Sequence, residues 1–132
     1  MKKVIIAGSA KLQDKIECWK NFFESKNYTI LDHPKVIEKA KFNEVYPNRH
    51  KEFFENIINA DILFVMNEDK NGLKGYIGAE TYAELAFALA QNLIYNKTID
   101  LIILKMPNKE VQCYEEIKLW LELGWIRLMK EE

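Results

Sequence analysis

No apolar run in this 132-residue chain approaches the ~20 residues that a membrane-spanning helix needs. No helical span is expected. An excess of one charge is equally absent, because 19 Lys and Arg face 20 Asp and Glu and neither sign gathers into a long block. Electrostatics therefore give no reason to expect a nucleic-acid polymer or an anionic membrane as partner. Cysteine is limited to Cys18 and Cys113, far apart and outside any metal or redox spacing, so reduced thiols in a cytoplasmic protein are the expectation. His33 and His50 both lie next to turns, with no cysteine or paired carboxylate at ligand spacing, and no metal is expected. Neither a Walker A sequence nor a GxGxxG is present, so readings as a nucleoside triphosphate or dinucleotide binder lose their main support. Nothing in the chain calls for a cofactor.

Hydrophobic residues make up 48% of the sequence and aromatics 12%, enough to bury a real core in one domain spanning residues 1–132. The opening Met1-Lys-Lys-Val-Ile-Ile-Ala-Gly-Ser has the outline of a secretory leader, but its apolar part stops early and Lys11, Asp14 and Lys15 follow. It reads as a first strand, Val4 to Ala7. Ile16, Trp19, Phe22 and Phe23 then recur at helical spacing between Leu12 and Ser25. Tyr28 to Leu31 reads as a second strand, and Pro34 and Pro47 bracket a polar stretch that is irregular or holds a short helix. Helices follow at His50 to Asn59, Thr81 to Gln91 and Gln112 to Leu123, alternating with strands at Asp61 to Met66, Leu101 to Leu104 and Trp125 to Leu128. Such β-α alternation predicts an α/β fold: a three-layer, doubly wound, parallel five-stranded sheet in the flavodoxin-like order 2-1-3-4-5. The loops meeting at its switch point are Gly8-Ser9-Ala10 and Asn67 to Gly78. Trp19, Trp120 and Trp125 fall at apolar positions suited to core or subunit contact.

Glu84 is the residue most able to do chemistry there, since it stands near a helix start just behind a glycine-bearing loop. A helix N-terminus favours the ionised carboxylate that a nucleophile must be. The same residues also spell a capping box, Thr81-Tyr-Ala-Glu84, in which both side chains only satisfy backbone amides. Gly8-Ser9 either admits a phosphate to backbone amides and the Ser9 hydroxyl or forms a turn in which Ser9 caps the next helix. Tyr76 either stacks on a ligand or packs over the sheet edge. Asn67, Glu68 and Asp69 end the third strand, where they meet a sugar or base or are simply solvated.

At these residues the chain resembles the nucleoside 2-deoxyribosyltransferase superfamily, including the 2'-deoxynucleoside 5'-phosphate N-hydrolases. The resemblance rests on the apolar strand ending in Gly8-Ser9, Asn59-Ala-Asp61 opening strand three, the glycine-rich loop, and Glu84-Leu-Ala-Phe-Ala-Leu-Ala-Gln91. It implies a glutamate nucleophile, here Glu84, attacking the sugar C1' of a nucleoside or nucleotide, with Asp69 or Glu80 protonating the departing base. The implied substrate-binding set is Gly8, Ser9, Asn67, Tyr76, Gly78 and Thr81, with Ser9 holding a phosphate or ribose hydroxyl and Tyr76 covering the base. A homo-oligomer is also implied. Two positions depart from the family pattern: an aspartate eight residues before Asp61 is Phe53 here, and a tyrosine three residues before Gly8 is Ile5. A nucleotide-binding module of the same fold without turnover is the alternative.

Overall fold

In the computed structural model, which describes residues 1–130, the strands sort their side chains by the two-residue period of an extended chain. The strands are β1 (Lys3–Ala7), β2 (Thr29–Asp32), β3 (Ile62–Val65), β4 (Asp100–Ile103) and β5 (Arg127–Leu128). Ile5, Ala7, Leu63, Val65, Leu101 and Ile103 point into one core, and Val4, Ile6, Ile62, Phe64 and Ile102 into the other. All strand pairs are parallel, and the order is β2-β1-β3-β4-β5. The expected sheet and its order are thus what the chain forms. Continuous apolar runs such as Ile62-Leu-Phe-Val65 are what a strand covered on both faces requires.

Four α-helices cover the faces: α1 (Gln13–Ser25), α2 (Phe42–Ile58), α3 (Ala79–Tyr95) and α4 (Tyr114–Glu122). Helix α1 closes one face, with Trp19 and Phe23 set against Phe64 at ring-centre distances of 4.9 and 5.2 Å. Helices α2, α3 and α4 bury Phe53, Ile57, Leu85, Ala88, Ile117 and Trp120 against the other. Trp19 and Trp120 therefore serve the core, whereas Trp125 is exposed.

Of the boundaries that differ from the sequence reading, two matter for the site. Helix α2 begins at Phe42 and carries Pro47 inside it, whereas Pro47 was expected to close an aperiodic stretch. Proline removes one helical hydrogen bond, but an i,i+4 ladder of rings holds the helix through that point. Phe42, Tyr46, His50 and Phe54 follow one another at centroid distances of 5.0, 5.1 and 4.3 Å. Helix α3 begins two residues earlier than expected, with Gly78 as its N-cap and no side-chain capping bond. The capping box expected at Thr81 and Glu84 therefore does not form. Thr81 already lies within the helix, and Glu84 falls in its second turn rather than its first.

Candidate functional site

The carboxyl ends of β1, β2 and β3 open into a cavity of about 460 Å³, walled by α2 and the start of α3. That volume lies within the range of small-molecule sites. Stacked rings decide which side chains meet there. Phe54 of α2 and Phe87 of α3 lie 4.4 Å apart at an interplanar angle of 8°, pinning the two helices together. One turn toward each N-terminus, this pairing brings His50 opposite Glu84, with Glu80 one turn further along α3. A ring nitrogen of His50 and one carboxylate oxygen from each glutamate all lie within 4.8 Å of one another.

Glu84 is only 6% exposed and lines the cavity, yet no hydrogen bond to its carboxyl forms among the described residues. Burial, reinforced by the neighbouring Glu80, lifts its pKa to about 8, although Arg49 pulls in the opposite direction. The expectation that the helix N-terminus keeps Glu84 ionised is thereby overturned. The second-turn position leaves it beyond the free amides, and desolvation dominates. Around neutral pH this carboxyl is mostly protonated.

Arg49 also lines the cavity, but its guanidinium is held from behind. Both terminal nitrogens donate to the buried Asp32, Nη1 at 2.9 Å, and Nη2 donates to the His33 carbonyl at 2.9 Å. Asn56 Nδ2 and the His33 amide also donate to Asp32, each at 2.8 Å. Burial alone would raise the Asp32 pKa, but the bonds from Arg49, Asn56 and His33 outweigh it and hold the carboxyl below its ordinary value. Phe53, where the family pattern has an aspartate, lies beneath Arg49 with 5.4 Å between guanidinium carbon and ring centre.

The opposite wall is basic. A tight turn at Asn71-Gly72, both at positive φ, pairs Lys70 with Leu73 and folds Lys70 back over β1. Its ammonium donates to Ser9 Oγ at 2.8 Å and sits 5.5 Å from the Tyr76 ring centre. Ser9 Oγ also accepts from the Lys11 amide at 3.3 Å. Ser9 does not cap α1, whose N-cap is Leu12. At Gly8 a side chain would press on Met66, the residue just after β3, its Cβ 3.1 Å from the carbonyl oxygen, so the missing side chain already serves strand packing.

The cavity brings together Gly8, Ser9, Tyr76, Gly78, Glu80, Thr81 and Glu84 of the residues expected from sequence. Asn67 and Asp69 are not among its walls. Asn67 is buried and fully engaged: Nδ2 donates to the carbonyls of Gly75 and Lys105 at 3.2 and 2.7 Å. Its Oδ1 accepts from the Leu104 and Lys105 amides at 2.9 and 3.3 Å. Asp69 accepts from the Gly75 amide at 3.0 Å and from Lys105 Nζ at 3.2 Å, and the Gly75 bond leads in lowering its pKa. These two residues shape the loop. Gly75 completes it at φ +64°, with Pro107 Cα only 2.9 Å from where a Cβ would stand.

Arg49, Tyr46 and Lys70 are cavity residues that sequence reasoning missed, and His50, expected at the start of a helix beside a turn, lies in the middle of α2. The hydrogen-bond partners of Arg49 and Lys70, Asp32 and Ser9, are distant in sequence and on other elements. The only local signal was the i,i+4 spacing of Phe42, Tyr46, His50 and Phe54, interrupted on paper by Pro47. No family model matches the chain, and no curated protein matches it.

Proposed function

We propose that the protein cleaves or transfers the N-glycosidic bond of a (deoxy)nucleoside or nucleoside 5'-monophosphate, with Glu84 as nucleophile. The observation carrying this reading is the buried Glu84 carboxyl, unengaged by protein donors and lining a cavity of about 460 Å³. In its ionised form Glu84 attacks C1', the C1'–N bond breaks, and the base leaves with a proton. The resulting glycosyl ester is resolved by water or a second base. A pKa of about 8 limits the ionised fraction at neutral pH to roughly a tenth. The positive charge developing on the sugar offsets the cost of that ionisation in the transition state.

The cavity's polarity supports the substrate class. Its glutamates lie on α3, and Ser9, Lys11 and Lys70 lie across from them, so a ligand with an anionic end and a reacting sugar suits it. Tyr76 covers the base, and Glu80 is the proton donor better placed than Asp69, which does not line the cavity. A homo-oligomer in the cytoplasm completes the proposal.

The test is chromatographic detection of free base from a panel of ribo- and deoxyribonucleosides and their 5'-monophosphates, with and without added adenine. Wild type is compared with Glu84→Gln. Base release lost in the variant, with a glycosyl ester on Glu84 trapped in wild type, is the expected result. A folded protein that binds a nucleotide but releases no base across the panel supports the alternative, a binding module without turnover.

A further inference from the structure

The same junction of α2 and α3 has a second chemical capacity, which rests on geometry alone and not on the glycosidic reading. We propose that His50, Glu80 and Glu84 bind a divalent transition-metal cation of the Zn²⁺ class. One imidazole nitrogen and two carboxylate oxygens, all within 4.8 Å of one another, surround a common point no more than about 2.8 Å from each. Zn²⁺ bonds to nitrogen and carboxylate oxygen run to roughly 2.0–2.2 Å. The gap left to close is under an ångström per ligand.

An independent observation points to a ligand at this place. Glu84 is 6% exposed, lines the cavity, and receives no hydrogen bond among the described residues. Among the described residues no buried side-chain polar atom lacks a partner, so the Glu84 carboxyl oxygens open onto the cavity itself. The cavity's arginine does not serve, because Arg49 directs its donors to Asp32 and the His33 carbonyl. A dication would give Glu84 its partner and offset the mutual repulsion of the two glutamates. His50 is already oriented, its ring between Tyr46 and Phe54 and its Nδ1 3.3 Å from the Tyr46 hydroxyl, the kind of support that metal-bound histidines have. One nitrogen with two carboxylate oxygens suits Zn²⁺, Co²⁺ or Mn²⁺ better than a soft, thiolate-seeking ion. The cavity leaves remaining coordination positions open to water or a ligand.

The two histidines provide an internal control. Zn²⁺ is titrated into the full chain while the imidazole resonances of His50 and His33 are followed, with calorimetry for stoichiometry. The expected result is one ion per chain, a metal-bound shift at His50 and none at His33. Glu80→Gln changes an exposed residue and leaves folding intact, and it is expected to weaken binding by at least roughly a hundredfold, since losing a direct ligand costs no less than losing a supporting group. No response at His50, equal responses from both histidines, or unchanged affinity in Glu80→Gln would each overturn the proposal. With the cation bound Glu84 is a ligand and not a nucleophile, so Zn²⁺ should suppress base release. Base release in chelator-treated buffer reports on the glycosidic reading alone, which keeps the two failures distinguishable.

Discussion

Replacing Glu84 with glutamine should stabilise the protein, and by an amount that grows with pH. The unfolded chain ionises Glu84 near 4.5, while the folded protein holds its proton up to about 8. Between those values the unfolded state has released a proton that the folded state keeps, so folding stability falls as pH rises through that window. The cost of carrying this carboxyl is about 1 kcal/mol at pH 5.5, about 3 kcal/mol at pH 7 and about 5 kcal/mol well above pH 8. Glutamine matches the neutral acid in shape and removes the titration. The variant should therefore gain about 2 kcal/mol on wild type between pH 5.5 and pH 7, whatever constant offset the amide introduces. Urea unfolding at pH 5.5, 7 and 8.5, at fixed ionic strength and with a chelator present, measures it. A stability difference that stays flat with pH would refute the buried neutral acid. A difference that shifts toward wild type as pH rises would mean that Arg49 or the helix N-terminus holds the carboxylate ionised after all.

The proposed activity inherits the same group, so kcat/KM for base release should climb about tenfold per pH unit below pH 8 and level off above it, as read from initial rates across that range. Arg49→Met should cost up to about 3–5 kcal/mol at pH 7 in urea unfolding, because it leaves the buried Asp32 with only the half-exposed Lys35, 3.7 Å away, as counter-charge. Asp32 has a lowered folded pKa, so its stabilising contribution is lost as pH falls through that value, and the penalty of Arg49→Met should shrink in acid. Asn67→Ala should lower stability by at least about 2 kcal/mol, since backbone groups of three residues lose a buried partner together. Gly75→Ala should cost at least about 1 kcal/mol from the positive φ alone, and the Pro107 backbone adds to it; thermal unfolding gives the measure.

By itself the sequence determined the sheet. Val4 to Ala7, Ile62 to Val65 and Leu101 to Ile103 are short apolar runs separated by helical periods, and that alternation leaves few ways to cover both faces. The position of the crevice followed from the strand order, and Glu84 was legible as a carboxyl near it. Only tertiary structure decided what that carboxyl is. Its burial against α2, the early start of α3 at Ala79 and the engagement of Arg49 by Asp32 together make it a neutral acid, and none of these is local to Glu84. Asn67 and Asp69 show the same limit from the other side. Their polarity and position suggested ligand contacts, but hydrogen bonds to residues near 75 and 105, set by loop closure, claim both side chains. Periodicity is a property of neighbours along the chain, so it survives in the sequence. The meeting of His50 with Glu80 and Glu84 depends on how two helices stack across Phe54 and Phe87, and that exists only once the chain has folded.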